Sequence, residues 1–208
     1  QNAIMNGDVD VIDGVDPTTV HLLSRAENIN ILETTGTEHR TTVMRLDTPP
    51  FDNADLRMAL KLSVKRQELV DKVMLGHGAL GNDHHISPAQ QYWNSELSQR
   101  EYDPDKARYH IKKAGLEGVE IELRSSEAAL PGALDAALLH QASAAACGIN
   151  IKVTRQPADG YWSNVWNKPG MGWVSSAWSG RPTCDWMFSA CCTAETDWND
   201  SAWKTTES

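Results

Sequence analysis

The spacing of apolar positions divides the chain into alternating strands and helices. Val9 and Val11 alternate with aspartates inside residues 3–16, which predicts a half-buried strand. Asp16-Pro17 then supplies a cap and a helix-starting proline, so residues 18–25 read as a short helix. Runs of β-branched and apolar residues at 29–34 and 41–46 predict two more strands, and Pro49-Pro50 breaks the chain. From 52 to 76, Leu56, Ala59, Leu60, Val64, Leu69, Val70 and Val73 recur at helical steps until Gly76 and Gly78 end the stretch. Residues 79–98 show little periodicity and read as a loop carrying His84, His85, Pro88 and Trp93.

The second half has a clearer rhythm. Asp103-Pro104-Asp105 opens a helix that Gly115 closes: a capping carboxylate, a first-turn proline and an acid at the positive helix end. Residues 119–123 alternate apolar and acidic, 130–147 form a long helical stretch closed by Gly148, and Ile149, Ile151 and Val153 alternate again. Strand, long helix, strand is a βαβ unit, so its two strands should be parallel with a right-handed crossover. Residues 160–167 read as a short helix and 172–177 as another strand. The fold class is α/β.

Composition narrows the function classes. The 208 residues carry a formal charge of −9, which argues against nucleic acid or an anionic membrane as the main partner. The longest apolar-leaning run, 128–146, contains Asp135, His140 and Gln141 and reads as a helix of a soluble domain rather than a membrane span. The opening Gln1-Asn2-Ala3-Ile4-Met5 has neither a basic start nor an apolar core. The expectation is a chain that is processed, trimmed or cut from something larger, and the polar ending through Ser208 agrees with a cut edge.

Catalytic patterns are missing. The histidines show no His-x-His or HExxH spacing, and adjacent His84-His85 would point apart on a strand, so no metal site is expected from them. There is no nucleophile elbow, and Gly170-Met171-Gly172 lacks the third glycine of a dinucleotide loop. Asp8, Asp10 and Asp13 lack the distal glutamate of a calcium loop. A hydrolase on an α/β scaffold therefore has no positioned nucleophile and base, and no cofactor is implied. Cys147 closes an apolar helix as a buried thiol, while Cys184 is placed to bridge to Cys191 or Cys192 in an oxidising compartment. Spacing does not choose between these.

One compositional feature stands out: 8 Trp against 2 Phe and 4 Tyr. Trp162, Trp166, Trp173, Trp178 and Trp186 fall in one segment beside Tyr161, Gly180, Arg181, Pro182 and Asp185. Indoles offer flat apolar faces with one N–H donor, and a few convergent polar groups among them make a small-molecule cleft. The same rings also suit a core under an irregular loop, and periodicity does not separate the two.

Three stretches resemble the extracytoplasmic solute-binding proteins of ABC importers, in particular the peptide/nickel-binding family 5. They are Met5-Asn6-Gly7-Asp8-Val9-Asp10; Pro49-Pro50-Phe51-Asp52-Asn53 with Leu56-Arg57-Met58-Ala59-Leu60 and Arg66-Gln67-Glu68-Leu69-Val70; and Tyr102-Asp103-Pro104-Asp105-Lys106-Ala107 with Lys113-Ala114-Gly115. The sequence departs at Lys65, where the family has a capping Asp, and at Met58, where it has Gln; the Lys65 helix start should lose about 1 kcal/mol of capping.

The resemblance implies a two-lobed periplasmic binding protein-like fold, with a βαβ unit and a mixed sheet flanked by helices, seen here in part. Residues 1–33 would end the first-lobe segment, 34–46 would cross the hinge, and 47–208 would form a second lobe incomplete at its C-terminus. It implies capture of a peptide-like solute for an ABC permease, outside the cytoplasm in the periplasm or at the cell surface, without catalysis. The family alternative is a nickel or metal-chelate binder using His84 or His85. Residues 173–188 would face the cleft, giving Trp173, Trp178, Arg181, Asp185 and Trp186 as ligand contacts, with His85 from the loop. The family's amine-binding Asp falls at Gly180 or Arg181, so Arg181 would favour a ligand carboxylate and Asp185 is the available substitute.

Overall fold

A computed structural model describes residues 1–204. Its centre is a four-stranded mixed sheet in the order β1-β4-β2-β3. β1 (His39–Met44) runs antiparallel to β4 (Trp173–Trp178). β2 (Glu120–Ser125) runs parallel to both β4 and β3 (Asn150–Arg155). β2, α6 (Ala133–Ala145) and β3 are the expected βαβ unit, with Ile121 opposite Ile151 and Leu123 opposite Val153.

Helix starts follow local chemistry. Asn53 caps α3 (Ala54–Leu62) by accepting from the Asp55 and Leu56 amides, and Asp103 caps α5 (Pro104–Lys113) by accepting from Lys106 N at 2.9 Å. α4 (Arg66–Lys72) starts at Lys65 with no side-chain cap. The expected continuous helix over 52–76 is therefore two helices. The break is at buried Ser63, whose hydroxyl donates to Leu60 O and accepts from Nε2 of His140 at 2.9 Å. A hydroxyl that satisfies itself on the preceding turn competes with helix continuation.

The main core joins α3, α5 and α6 to the sheet through Leu56, Leu60, Ile111, Ile121, Leu123, Ile149 and Ile151. Trp173, 1% exposed, lies in this core with Phe51, and the His140 ring meets its face edge-on at 5.4 Å. A smaller cluster gathers Ile86, Trp178, Cys184, Met187 and Cys191 around α8 (Cys184–Cys191). Cys184, Met187 and Cys191 recur at helical steps on the inner face of α8, a helix that the turn-like Gly180-Arg181-Pro182 and the adjacent cysteines mask in sequence.

Two expected strands do not form. Residues 3–16 give α1 (Asn2–Asn6) and then irregular chain, and 29–34 stay irregular. α2 (Pro17–Leu23) lies between them. Val11 is 82% exposed and Leu32 88% exposed. Alternation makes a strand only where another strand takes up its backbone groups and a surface covers its apolar face, and among the described residues neither segment has them.

Candidate functional site

The pairing of β1 with β4 sets His39 directly opposite Trp178 at one end of the sheet. The loop carrying His84 to Gln90 folds over this end, held by Gln90 Nε2 donating to Arg181 O at 3.1 Å and by Ser87 Oγ donating to Gly36 O. His85 thereby meets both residues: its ring is edge-on to Trp178 at 6.2 Å, and its Nδ1 is 2.8 Å from His39 Nε2. His39 Nδ1 lies 3.0 Å from the carbonyl of Thr37. Burial, with neighbouring His39 and His84, pushes the His85 pKa down to about 4, and burial lowers that of His39. Both rings are neutral near pH 7.

From Trp178 a row of aromatic rings crosses the surface. Tyr161 contacts Trp162 at 5.6 Å, Trp162 contacts Trp166 at 5.6 Å, and Trp166 contacts Trp178 at 6.3 Å, all near edge-to-face. Trp178 contacts Trp198 at 6.3 Å. The row is buried at Tyr161 and Trp178 and open at Trp162 and Trp198, which are 42% and 51% exposed. Beneath it, buried Asp200 accepts from the indole N–H groups of Trp166 (3.2 Å) and Trp178 (3.3 Å) on the same oxygen. Burial pushes this carboxyl up to about 6, and the two indole donors pull the other way. One carboxylate thereby fixes the planes of two neighbouring indoles at the middle of the row.

The expected contacts separate. Trp178 and His85 come together. Trp173 does not join them: it is five residues from Trp178 on one strand, so the pleat turns it to the opposite face and into the main core, with no surface for a solute. Arg181 folds onto its own loop, Nη1 donating to Ser179 O, Ser179 Oγ and Gly180 O. Asp185 and Trp186 occupy the outward first turn of α8, Trp186 being 58% exposed.

His39, Trp198 and Asp200 are additions that the sequence did not signal. His39 enters only through strand register, and Asp200 reads in sequence as an ordinary loop acid. Cys147 is the buried thiol expected, while the bridge from Cys184 to Cys191 or Cys192 is not present. All four are free thiols; Cys184 packs in the α8 cluster, and Cys191 Sγ contacts Cys192 Sγ at 2.8 Å.

The fold is that of a lobe of a periplasmic binding protein-like molecule. The chain superposes over 98% of its length on the ABC transporter substrate binding protein CtaP from Listeria monocytogenes (TM-score 0.84, 15% identity, 42% of that chain). It superposes equally far on a dipeptide binding protein from Pseudoalteromonas sp. SM9913 solved with Met-Leu (TM-score 0.83, 20% identity, 41% of that chain).

The sequence goes further than the fold. Residues 1–200 match the profile of the bacterial extracellular solute-binding proteins, family 5 (middle region), and the chain belongs to that family. Curated relatives include Di/tripeptide-binding protein 1 of Pseudomonas aeruginosa, 32% identical over 108 residues, and the Dipeptide-binding protein of Escherichia coli, 26% identical over 203 residues. These matches cover 51% and 90% of this chain, but only 20% and 36% of the relatives' own length. No helix among the described residues is long and apolar enough to cross a membrane.

Proposed function

We propose that this chain is the larger part of one lobe of an ABC importer's solute-binding component, and that it captures a peptide-like solute on the aromatic row. Residues 1–33 close the first lobe, 34–46 cross the hinge and 47–208 form the second lobe. The observation that carries this reading is the row from Trp162 through Trp166 and Trp178 to Trp198, pinned from below by Asp200 and open at both ends. Flat rings held in place contact side chains of many shapes, which suits a solute defined by its backbone rather than by one side chain.

Exposed Val11, Leu22 and Leu32 support the boundary, because they are apolar residues that a first lobe would cover. The solute is enclosed when the lobes close about the hinge, and a permease takes it from the closed form. Arg181 on the rim offers guanidinium N–H groups beyond those facing its own loop, matching a free peptide carboxylate. The site of action is the periplasm or the outer cell surface.

Calorimetry of the whole protein against di- to pentapeptides tests this. Micromolar or tighter binding is expected, weakened at least tenfold when the peptide carboxylate is amidated. Equal binding of acid and amide would remove Arg181 from the site, and no peptide binding at all would overturn the proposal.

A further inference from the structure

Behind Trp178 lies a cluster that peptide capture leaves without a task. A ring nitrogen of His85 and the Sγ atoms of Cys191 and Cys192 all lie within 4.8 Å of one another. Their sequence separations would never suggest it, since His85 comes from the loop over the sheet end and the cysteines from the C-terminal end of α8. Cys191 is buried and the other two are half-buried, so a bound ion would be largely withdrawn from water.

The hydrogen bonds fix the tautomer of His85. A carbonyl only accepts, so His39 Nδ1 must carry the proton it gives to Thr37 O. The same neutral ring then has a bare Nε2, which accepts from Nδ1–H of His85 at 2.8 Å. This leaves Nε2 of His85 with its lone pair free. An imidazole presenting one bare nitrogen while its other N–H is held by a second group is the arrangement of a metal-ligating histidine with its orienting partner.

We propose that His85, Cys191 and Cys192 form a binding site for a zinc-class divalent ion, with His39 as the positioning residue behind His85. Two sulfurs and one imidazole are a borderline-soft donor set, and three protein ligands leave a fourth tetrahedral position for water or a solute group. The fit needs only small movements. Metal–sulfur bonds of about 2.3 Å and a metal–nitrogen bond of about 2.0 Å place tetrahedral ligands about 3.5–3.8 Å apart. The two sulfurs would open by about 1 Å from 2.8 Å, and the widest separation would close by a similar amount. Both are within side-chain rotation. Binding would release the thiol protons, and the cation would sit close to the Asp200 carboxylate, whose charge the pocket otherwise buries beside the cysteines. This site stands on the side-chain cluster alone and does not depend on what solute the lobe carries.

The test is a zinc titration of the protein, kept reduced with a phosphine, against a chromophoric chelator, with cobalt(II) as a spectroscopic substitute. One ion per chain is expected, and the cobalt form should show a thiolate-to-metal charge-transfer band and tetrahedral d–d bands. Cys192→Ser or His85→Gln should weaken zinc binding more than a hundredfold, and His39→Phe by about 10–100-fold. Cys184→Ser and Cys147→Ser should leave it unchanged. The proposal falls if wild-type protein gives no thiolate band with cobalt, a readout that needs no variant to fold. It also falls if zinc binding survives loss of His85 or of both adjacent cysteines.

Discussion

Lowering the pH from 7 to 5 should cost this lobe about 2 kcal/mol through His140 alone. The ring is 5% exposed, held between Ser63 and the face of Trp173, and burial lowers its pKa to about 4 from an ordinary 6.5. The sign follows from proton binding. Below pH 6.5 the unfolded chain takes up a proton at His140 and the folded chain does not, so stability falls until the pH reaches about 4. At pH 5 the unfolded state gains about 30-fold from that proton, which is about 2 kcal/mol, against about 0.2 kcal/mol at pH 7. Half-buried His85 contributes in the same direction, so the wild-type slope alone does not isolate His140. His140→Gln removes the titration and keeps a side-chain donor for Ser63. Urea unfolding followed by tryptophan fluorescence at pH 7, 6 and 5 should show the variant less stable at pH 7 but with a loss on acidification smaller by about 2 kcal/mol. Parallel pH dependences for the two proteins would mean that His140 does not carry this loss.

Other expectations are equally specific. Gly172→Ala should destabilise by about 1–3 kcal/mol in thermal or urea unfolding, because the added methyl would sit 2.6 Å from the buried Phe51 ring. Asp103→Ala should lower stability by about 1 kcal/mol, since the Lys106 amide at the start of α5 loses its acceptor. Trp198→Ala should cost no more than about 1 kcal/mol in unfolding, because the ring is half-exposed, while weakening solute binding by the whole protein; an unchanged affinity would remove Trp198 from the proposed surface.

The parts legible in the sequence are those with local causes. Asp103-Pro104 and Asn53 mark helix starts because capping is a matter of three or four residues. The βαβ unit reads from alternation and length because its strands and helix each bury a continuous face. Val9, Val11 and the 29–34 run failed as strands because alternation does not say whether a partner is present. The site was legible only as a segment. Trp178 and His85, named separately as contacts, lie side by side in the structure, but Trp173 looked equivalent until β4 was placed at the middle of the sheet with a face on each side. His39 and Asp200 depend on strand register and on a loop packing beneath two indoles, neither of which leaves a local trace.

Capture of a peptide-like solute by this lobe should be visible in what the whole protein carries out of the cell. Native mass spectrometry of the whole protein, purified without denaturation from its own cells and then exchanged against a dipeptide and tripeptide library, tests it most directly. Bound species with peptide masses are expected, displaceable by added peptide, and lost together when Trp178 is replaced by alanine in a protein that remains folded. A different bound solute that no peptide displaces would contradict it.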